Sequence, residues 1–143
     1  MTPALTLRRA TPDERPLVAA SWFESYRRGG SSPNVQFEVY KAGQGGLITR
    51  LIDRSEVWVA TLPAVPDEVC GWVARVGPVV HYVYVKQAYR RLGIARALVN
   101  GTGPRPEWHT HETRPVGRSF AQALGTRYNP WLVHEWLTLP ASL

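Results

Sequence analysis

An α+β fold around a mixed sheet is predicted by three features. Strand-like and helix-like runs alternate, a buried strand passes directly into a helix in mid-chain, and enough apolar sequence exists for a core. The 143 residues fit one domain spanning 1–143. Hydrophobic residues make up 44% and charged residues 20%, which argues against a disordered chain.

Each element has a local reason. Leu5 and Leu7 alternate with polar neighbours and predict a first strand. Thr11-Pro12-Asp13-Glu14 is a helix start, with Thr11 capping, Pro12 in the first turn and Glu14 closing a capping box. Leu17, Val18, Trp22 and Tyr26 continue that helix to about Arg28, before Gly29-Gly30 and Ser31-Ser32-Pro33 break it. Val35, Phe37 and Val39 alternate, and Gly43, Gly45 and Gly46 interrupt any regular element; Leu47, Ile48, Leu51 and Ile52 predict a short second helix.

Glu56 to Thr61 and Val69 to Val76 read as a hairpin pair. Val79 to Val85 is the clearest strand, since β-branched and aromatic residues nearly fill it. A helix is expected over Arg90 to Asn100, a strand over Trp108 to His111, and a helix over Pro115 to Leu124 with Phe120 inward. Trp131 to Leu139 is expected to close the chain as an extended apolar segment.

Seventeen basic residues against 11 acidic ones give a formal charge of +6, which favours anionic ligands. Fifteen of the 17 are arginines, but they are scattered and form no basic tail. No recognition motif accompanies them, so nucleic acid is not the expected partner. The single cysteine, Cys70, excludes an intramolecular disulfide and lies in an apolar run, where a buried, inert thiol is expected. Met1 to Arg9 lacks the apolar core of a leader, and no stretch approaches the roughly 18 apolar residues of a membrane span. A cytoplasmic protein is therefore the expectation, without membrane partners.

The informative junction is Val83-Tyr84-Val85 followed by Arg90-Arg91-Leu92-Gly93-Ile94-Ala95-Arg96. A glycine here lets an anion approach the backbone. The first helical turn offers unpaired amide hydrogens and the positive end of the helix dipole. The plain alternative is an ordinary strand, loop and helix whose arginines face solvent. A dinucleotide loop would need a Gly-x-Gly-x-x-Gly run, and a triphosphate loop would need a Gly-Lys-Ser/Thr ending; neither is present.

Arg90 to Ala95 resembles the acyl-coenzyme A signature of the GNAT superfamily, Arg/Gln-x-x-Gly-x-Gly/Ala, and the flanks and element order resemble that family from Leu5 to Leu139. The resemblance implies a mostly antiparallel central sheet flanked by helices, with the fourth and fifth strands splayed. It implies acetyl-coenzyme A as cosubstrate. Backbone groups of Val83 and Val85 would pair with its pantetheine arm, and amides around Arg91, Leu92, Gly93, Ile94, Ala95 and Arg96 would hold its diphosphate. The implied reaction is acetyl transfer to a primary amine of a small molecule or peptide.

Such transfer needs placement and a route for the amine proton. His81, two residues before Val83, resembles the base histidine of arylalkylamine-type members, and a β-bulge in this strand can alter its side. His111 is the alternative proton carrier. Tyr82 and Tyr84 have the opposite parity and are expected to pack, as are Trp22 and Tyr26, which the resemblance places beside the acceptor site.

The second half departs from the family pattern. Aligning on Leu124-Gly125 puts Arg114, Gly117, Phe120 and Ala121 at the usual asparagine, alanine, Phe/Leu and tyrosine positions. Ala121 thus replaces the phenol that commonly protonates the leaving thiolate, and spacing gives neither Tyr128 nor Ser119 a strong claim to substitute. A catalytically weak or inactive coenzyme-binding or protein-interaction module is the alternative reading. His81, His109 and His111 with Glu112 have metal-ligand chemistry, but no His-Glu-x-x-His spacing exists and the splay would separate them; no metal is expected. Edge strands or the closing segment offer a route to a homodimer.

Overall fold

The computed structural model describes residues 4–29, 35–113 and 116–133. The strands are β1 (Thr6–Arg9), β2 (Glu56–Thr61), β3 (Gly71–Val76), β4 (Val79–Val85), β5 (Trp108–His109) and β6 (Arg127–Tyr128). They form one sheet in chain order. β1 through β4 pair antiparallel, whereas β4–β5 and β5–β6 are parallel. The expected α+β, mostly antiparallel sheet is present, and Glu56 to Thr61 pairs with β3 as the hairpin pattern predicts. No helix among the described residues is long and apolar enough to cross a membrane.

Alternation along the central strands divides the core between two faces. Trp72, Ala74 and Tyr82 pack with Val18 and Trp22 of α1 (Arg15–Gly29) and with Ile48 and Leu51 of α3 (Gly46–Arg54). Val73, Val80 and Cys70 pack with Ile94, Leu98 and Val99 of α4 (Ile94–Gly101) on the other side. Phe120 and Leu124 of α5 (Val116–Leu124) cover that second cluster, so Phe120 turns inward as expected. Cys70 is fully buried, and burial pushes its thiol pKa up.

Several elements differ from their sequence expectation. The glycines after Val39 do not interrupt the helix: α2 (Phe37–Tyr40) runs through a π turn at Lys41–Gly45 into α3. Tyr40 is buried there, and its hydroxyl donates to Phe23 O at 2.9 Å. That anchor helps to hold the segment despite the low helix propensity of glycine. The helix expected from Arg90 begins only at Ile94, because Arg91 (φ 67°) and Gly93 (φ 80°) are left-handed and cannot belong to a right-handed helix. Trp131 to Val133 forms a turn and the start of a helix rather than a strand, and residues 134–139 of that expected segment lie outside the described residues. Arg114 and the expected breakers at residues 30–33 lie outside them too.

The N-terminal capping box forms, but around a 3-10 turn at Pro12–Glu14, and α1 follows only from Arg15. Glu14 accepts from the Thr11 N–H at 2.9 Å and from both terminal nitrogens of Arg8 at 2.7 Å. These bonds, Arg8 first, hold its carboxyl pKa down at about 2. A depressed folded pKa stabilises above the unfolded value and is lost as pH falls through the folded one. Glu14→Gln is therefore expected to cost about 1 kcal/mol at pH 7, the pair being partly screened by solvent. The gap to the parent protein in urea melts should close as pH drops from about 4.5 towards about 2.

Candidate functional site

The two parallel strands stay together for only one step. β4 meets β5 at Val79–Trp108 and Val80–His109, and one further bond joins Thr110 N–H to Val80 O at 3.3 Å. β4 then runs on to Val85 while β5 has ended. This is the splay. Beyond it the Lys86 N–H donates to Cys70 O, towards β3, at 2.9 Å. Backbone direction alternates along a strand, so Val85 and Val83 turn their amide and carbonyl groups to the open side. Val85 O accepts there from Arg90 Nε at 2.9 Å.

The chain next makes a 3-10 turn at Gln87–Tyr89 and reaches the loop before α4. Arg90, Arg91, Leu92 and Gly93 are all exposed. Gly93 is the left-handed residue preceding α4, and Ala97 N–H to Gly93 O is the first bond across the junction. The amides of the first turn have no partner within a helix. The side chain of Ile94 is buried in the core. Ala95 is half-buried and Arg96 is exposed. The structure thus brings the whole predicted loop to the open end of β4.

His81 sits at the irregularity in β4. The register with β3 jumps from Ala74–Tyr82 to Arg75–Val80, leaving His81 as the extra residue of a bulge. It is fully buried, and burial lowers its ring pKa to about 4. Its Nδ1 lies 2.8 Å from Thr110 Oγ1, whereas Nε2 has no hydrogen-bond partner among the described residues. The ring lines a small cavity of about 60 Å³ together with Val83, His111, Phe120 and Ala121. Neither Tyr128 nor Ser119 lines it among the described residues.

His111 Nδ1 lies 2.9 Å from the same threonine hydroxyl. Its ring stands edge-on to Trp22 and Tyr26, with centroids at 5.3 and 4.8 Å, and burial followed by the nearby His81 lowers its pKa to about 3. Tyr82 stacks on Trp22, shares a 2.8 Å hydrogen bond with Ser25, and has its phenol pKa raised to about 12 by burial. Tyr84 packs against Trp72. His109 borders the same cavity but bonds a different set, Thr126 at 2.9 Å and Glu112 at 3.2 Å, and stacks on Tyr128. The three histidines therefore divide between two hydrogen-bond sets, and no group of three or more metal-binding side chains occurs among the described residues.

Sequence reasoning missed two residues. Thr110 is flanked by His109 and His111, a signal that gains meaning only once β5 lies beside His81. Arg75 is a lone charge on the otherwise apolar β3. It is fully buried, with Nη1 donating to Val99 O at 2.6 Å and Nη2 to Gly77 O at 2.8 Å. A cation there stabilises the C-terminal end of α4, opposite the arginine-rich loop at its N-terminus. A wider groove of about 570 Å³ lies at Asp13, Asp67, Glu68 and Lys86, but its acidic lining does not suit phosphate.

No family model matches the chain, and no curated protein does. Solved structures do share its architecture. A possible acetyltransferase from Clostridium difficile 630 aligns with a TM-score of 0.56 at 18% identity, over 87% of this chain and 91% of that one. YjaB from Escherichia coli, in its apo form, gives 0.54 at 20% identity, over 72% and 69%. A GCN5-related N-acetyltransferase from Rhodopseudomonas palustris gives 0.50 at 21% identity, over 71% of this chain and 63% of that one. The chain has a GNAT-like fold. At these identities the likeness concerns the GNAT fold alone. This chain spans less than two thirds of the Rhodopseudomonas protein's length.

Proposed function

We propose that the protein is an acyltransferase that uses acetyl-coenzyme A to acetylate a primary amine. The observation carrying this reading is the open edge of β4 at Val83 and Val85, which ends at an exposed arginine-rich loop on the N-terminus of α4. An extended arm with amide groups fits the open edge, and phosphate fits the loop. Val83 and Val85 would hold the pantetheine arm by their backbone groups. Arg90, Arg91 and Arg96 would supply charge, while the backbone from Arg91 to Arg96 would supply donors.

The cosubstrate contributes an activated acyl thioester; the protein supplies placement and proton removal. His81, or a water it orders, receives the amine proton. Its low pKa keeps the ring unprotonated throughout the neutral range, so Nε2 is free to accept a proton, although burial makes it a weaker base than an exposed histidine. His81→Gln should depress the transfer rate by roughly a hundredfold while sparing coenzyme affinity. An unchanged rate would remove His81 from the chemistry.

The deciding experiment is calorimetric titration with acetyl-coenzyme A, followed by measurement of free thiol with a panel of amines. No binding would sink the coenzyme reading. Binding without thiol release would favour a second reading, a non-catalytic coenzyme-binding module, which Ala121 in the cavity supports. Gly93→Glu is expected to weaken binding by more than tenfold, or about 1.4 kcal/mol, through backbone strain and repulsion at the loop. Wild-type affinity in that variant would place the phosphates elsewhere. The basic surplus of the chain serves a phosphate-bearing cosubstrate in this reading.

A further inference from the structure

Two buried histidines from neighbouring strands share a single hydroxyl. His81 Nδ1 is 2.8 Å from Thr110 Oγ1, and that oxygen is 2.9 Å from His111 Nδ1. All three residues are buried. A threonine hydroxyl carries one hydrogen, so it donates to one of these nitrogens and accepts from the other. Two neutral rings bound in this way must hold opposite tautomers. One carries its hydrogen on Nδ1 and the other on Nε2. Both rings are neutral near pH 7, because burial lowers their pKa values to about 4 and about 3.

The environments of the rings differ. His81 lines the cavity beside Ala121 and Phe120 of α5, and its buried Nε2 has no hydrogen-bond partner among the described residues. His111 also borders that cavity, but its ring stands against Trp22 and Tyr26 of α1, which pack on the other face of the sheet, and it keeps 8% exposure. The three groups cross the sheet where β4 and β5 part. An Nε2 without a partner is better tolerated as a bare acceptor than as an orphaned N–H. The arrangement therefore favours His81 with its hydrogen on Nδ1 and His111 with its hydrogen on Nε2.

We propose that His81, Thr110 and His111 form a proton relay through the sheet, with Thr110 the positioning residue that couples the two rings. The inference rests on the acyl-transfer reading and extends it to the path the proton takes. A proton leaving the acceptor amine adds to His81 Nε2. His81 Nδ1 gives its hydrogen to Thr110 Oγ1, whose own hydrogen passes to His111 Nδ1. His111 then releases its Nε2 hydrogen to solvent. Only N–H and O–H bonds are made and broken, and both rings end neutral with their tautomers exchanged. The reverse transfer resets them: His111 takes a proton from solvent on Nε2, and His81 gives its Nε2 hydrogen to the thiolate that coenzyme A becomes when its thioester bond breaks. The relay answers a difficulty of the site: a histidine this deeply buried cannot keep a positive charge, so it must pass the proton on.

The test has a spectroscopic and a kinetic arm, both on the full chain. Imidazole nitrogen-15 spectra at pH 7 should show Nδ1–H at His81 and Nε2–H at His111, in the parent protein and in Thr110→Ser. Thr110→Val keeps the shape but removes the shared hydroxyl, and at least one ring should become a mixture of tautomers. The same tautomer in both parent rings, or unaltered spectra in Thr110→Val, would overturn the relay.

In the kinetic arm, free thiol is followed with acetyl-coenzyme A and three amines: tyramine, spermidine and a lysyl peptide. Thr110→Val should lower kcat by at least about tenfold while KM for acetyl-coenzyme A changes little, and Thr110→Ser should restore most of it. His111→Phe keeps a ring against Trp22 and Tyr26 and should match the Thr110→Val loss. Full kcat in Thr110→Val or His111→Phe overturns the relay's part in turnover. No turnover in the parent protein sinks acyl transfer to these amines and the relay's use in it. The tautomer spectra distinguish that failure from a failure of the hydrogen-bonded pair itself.

Discussion

Replacing Arg75 with methionine is expected to lower stability by about 3 kcal/mol, read as the shift in a urea unfolding curve at pH 7. The guanidinium is fully buried without a carboxylate partner among the described residues, and it binds neutral carbonyls instead. Nε and Nη2 donate to Gly77 O at 3.1 and 2.8 Å, Nη2 also donates to Pro104 O, and Nη1 donates to Val99 O at 2.6 Å. Burial lowers its pKa, yet an arginine stays charged at any ordinary pH.

Methionine would fill much of the volume but leave these acceptors without donors. Gly77 and Pro104 lie nearer the surface and can regain water, whereas Val99 is fully buried. That difference keeps the expected loss near the value for one or two unsatisfied buried groups rather than four. Arg75→Lys should recover only part of it, since one ammonium cannot span the turn after β3 and the end of α4 together. A loss below about 1 kcal/mol in Arg75→Met would mean that the carbonyls find new partners at little cost.

Stability should also fall steeply under mild acid. His81 and His111 are neutral in the fold, with pKa values of about 4 and about 3 against 6.5 for an exposed histidine. Below 6.5 the unfolded chain gains two protons that the folded one refuses. A lowered histidine pKa therefore stabilises nothing further on acidification; it makes unfolding easier as pH falls. The slope is about 1.4 kcal/mol per pH unit for each ring, roughly 2.7 for both. It should operate from about 6.5 down to about 4, above most of the window in which Glu14 acts. Urea midpoints between pH 7 and pH 5 measure it directly. A double variant with His81→Gln and His111→Gln should lose most of the slope over that range. If it keeps the slope, the two rings are not the neutral buried pair described.

The sheet and the strand-to-helix junction at Gly93 were legible in the sequence for physical reasons that fail elsewhere. β4 is nearly all β-branched or aromatic because its centre is buried on both faces, and composition alone betrays such a strand. The junction with α4 carries its own glycine. Hidden features depend on partners distant in the chain. The helix through Phe37 and the π turn holds despite three glycines, with Tyr40 reaching Phe23. Arg91 adopts a left-handed conformation that its residue type does not advertise. β6 is two residues long, too short for any periodicity. The His81–Thr110–His111 set is invisible without the bulge at His81 and the brief register with β5. Sequence spacing therefore brings out each histidine singly but not their shared hydroxyl.

The order of strands in the sheet is also a timetable. Because every strand lies beside the one that precedes it in the chain, no pairing has to wait for a later segment to be threaded between earlier ones. During synthesis from the N-terminus, the four antiparallel strands and α4 emerge before Thr110 and His111 do. The edge and loop proposed for the cosubstrate are thus synthesised before two of the three residues of the proposed relay. A nascent chain stopped after α4 would hold the strand edge and loop proposed for the cosubstrate, but neither Thr110 nor His111.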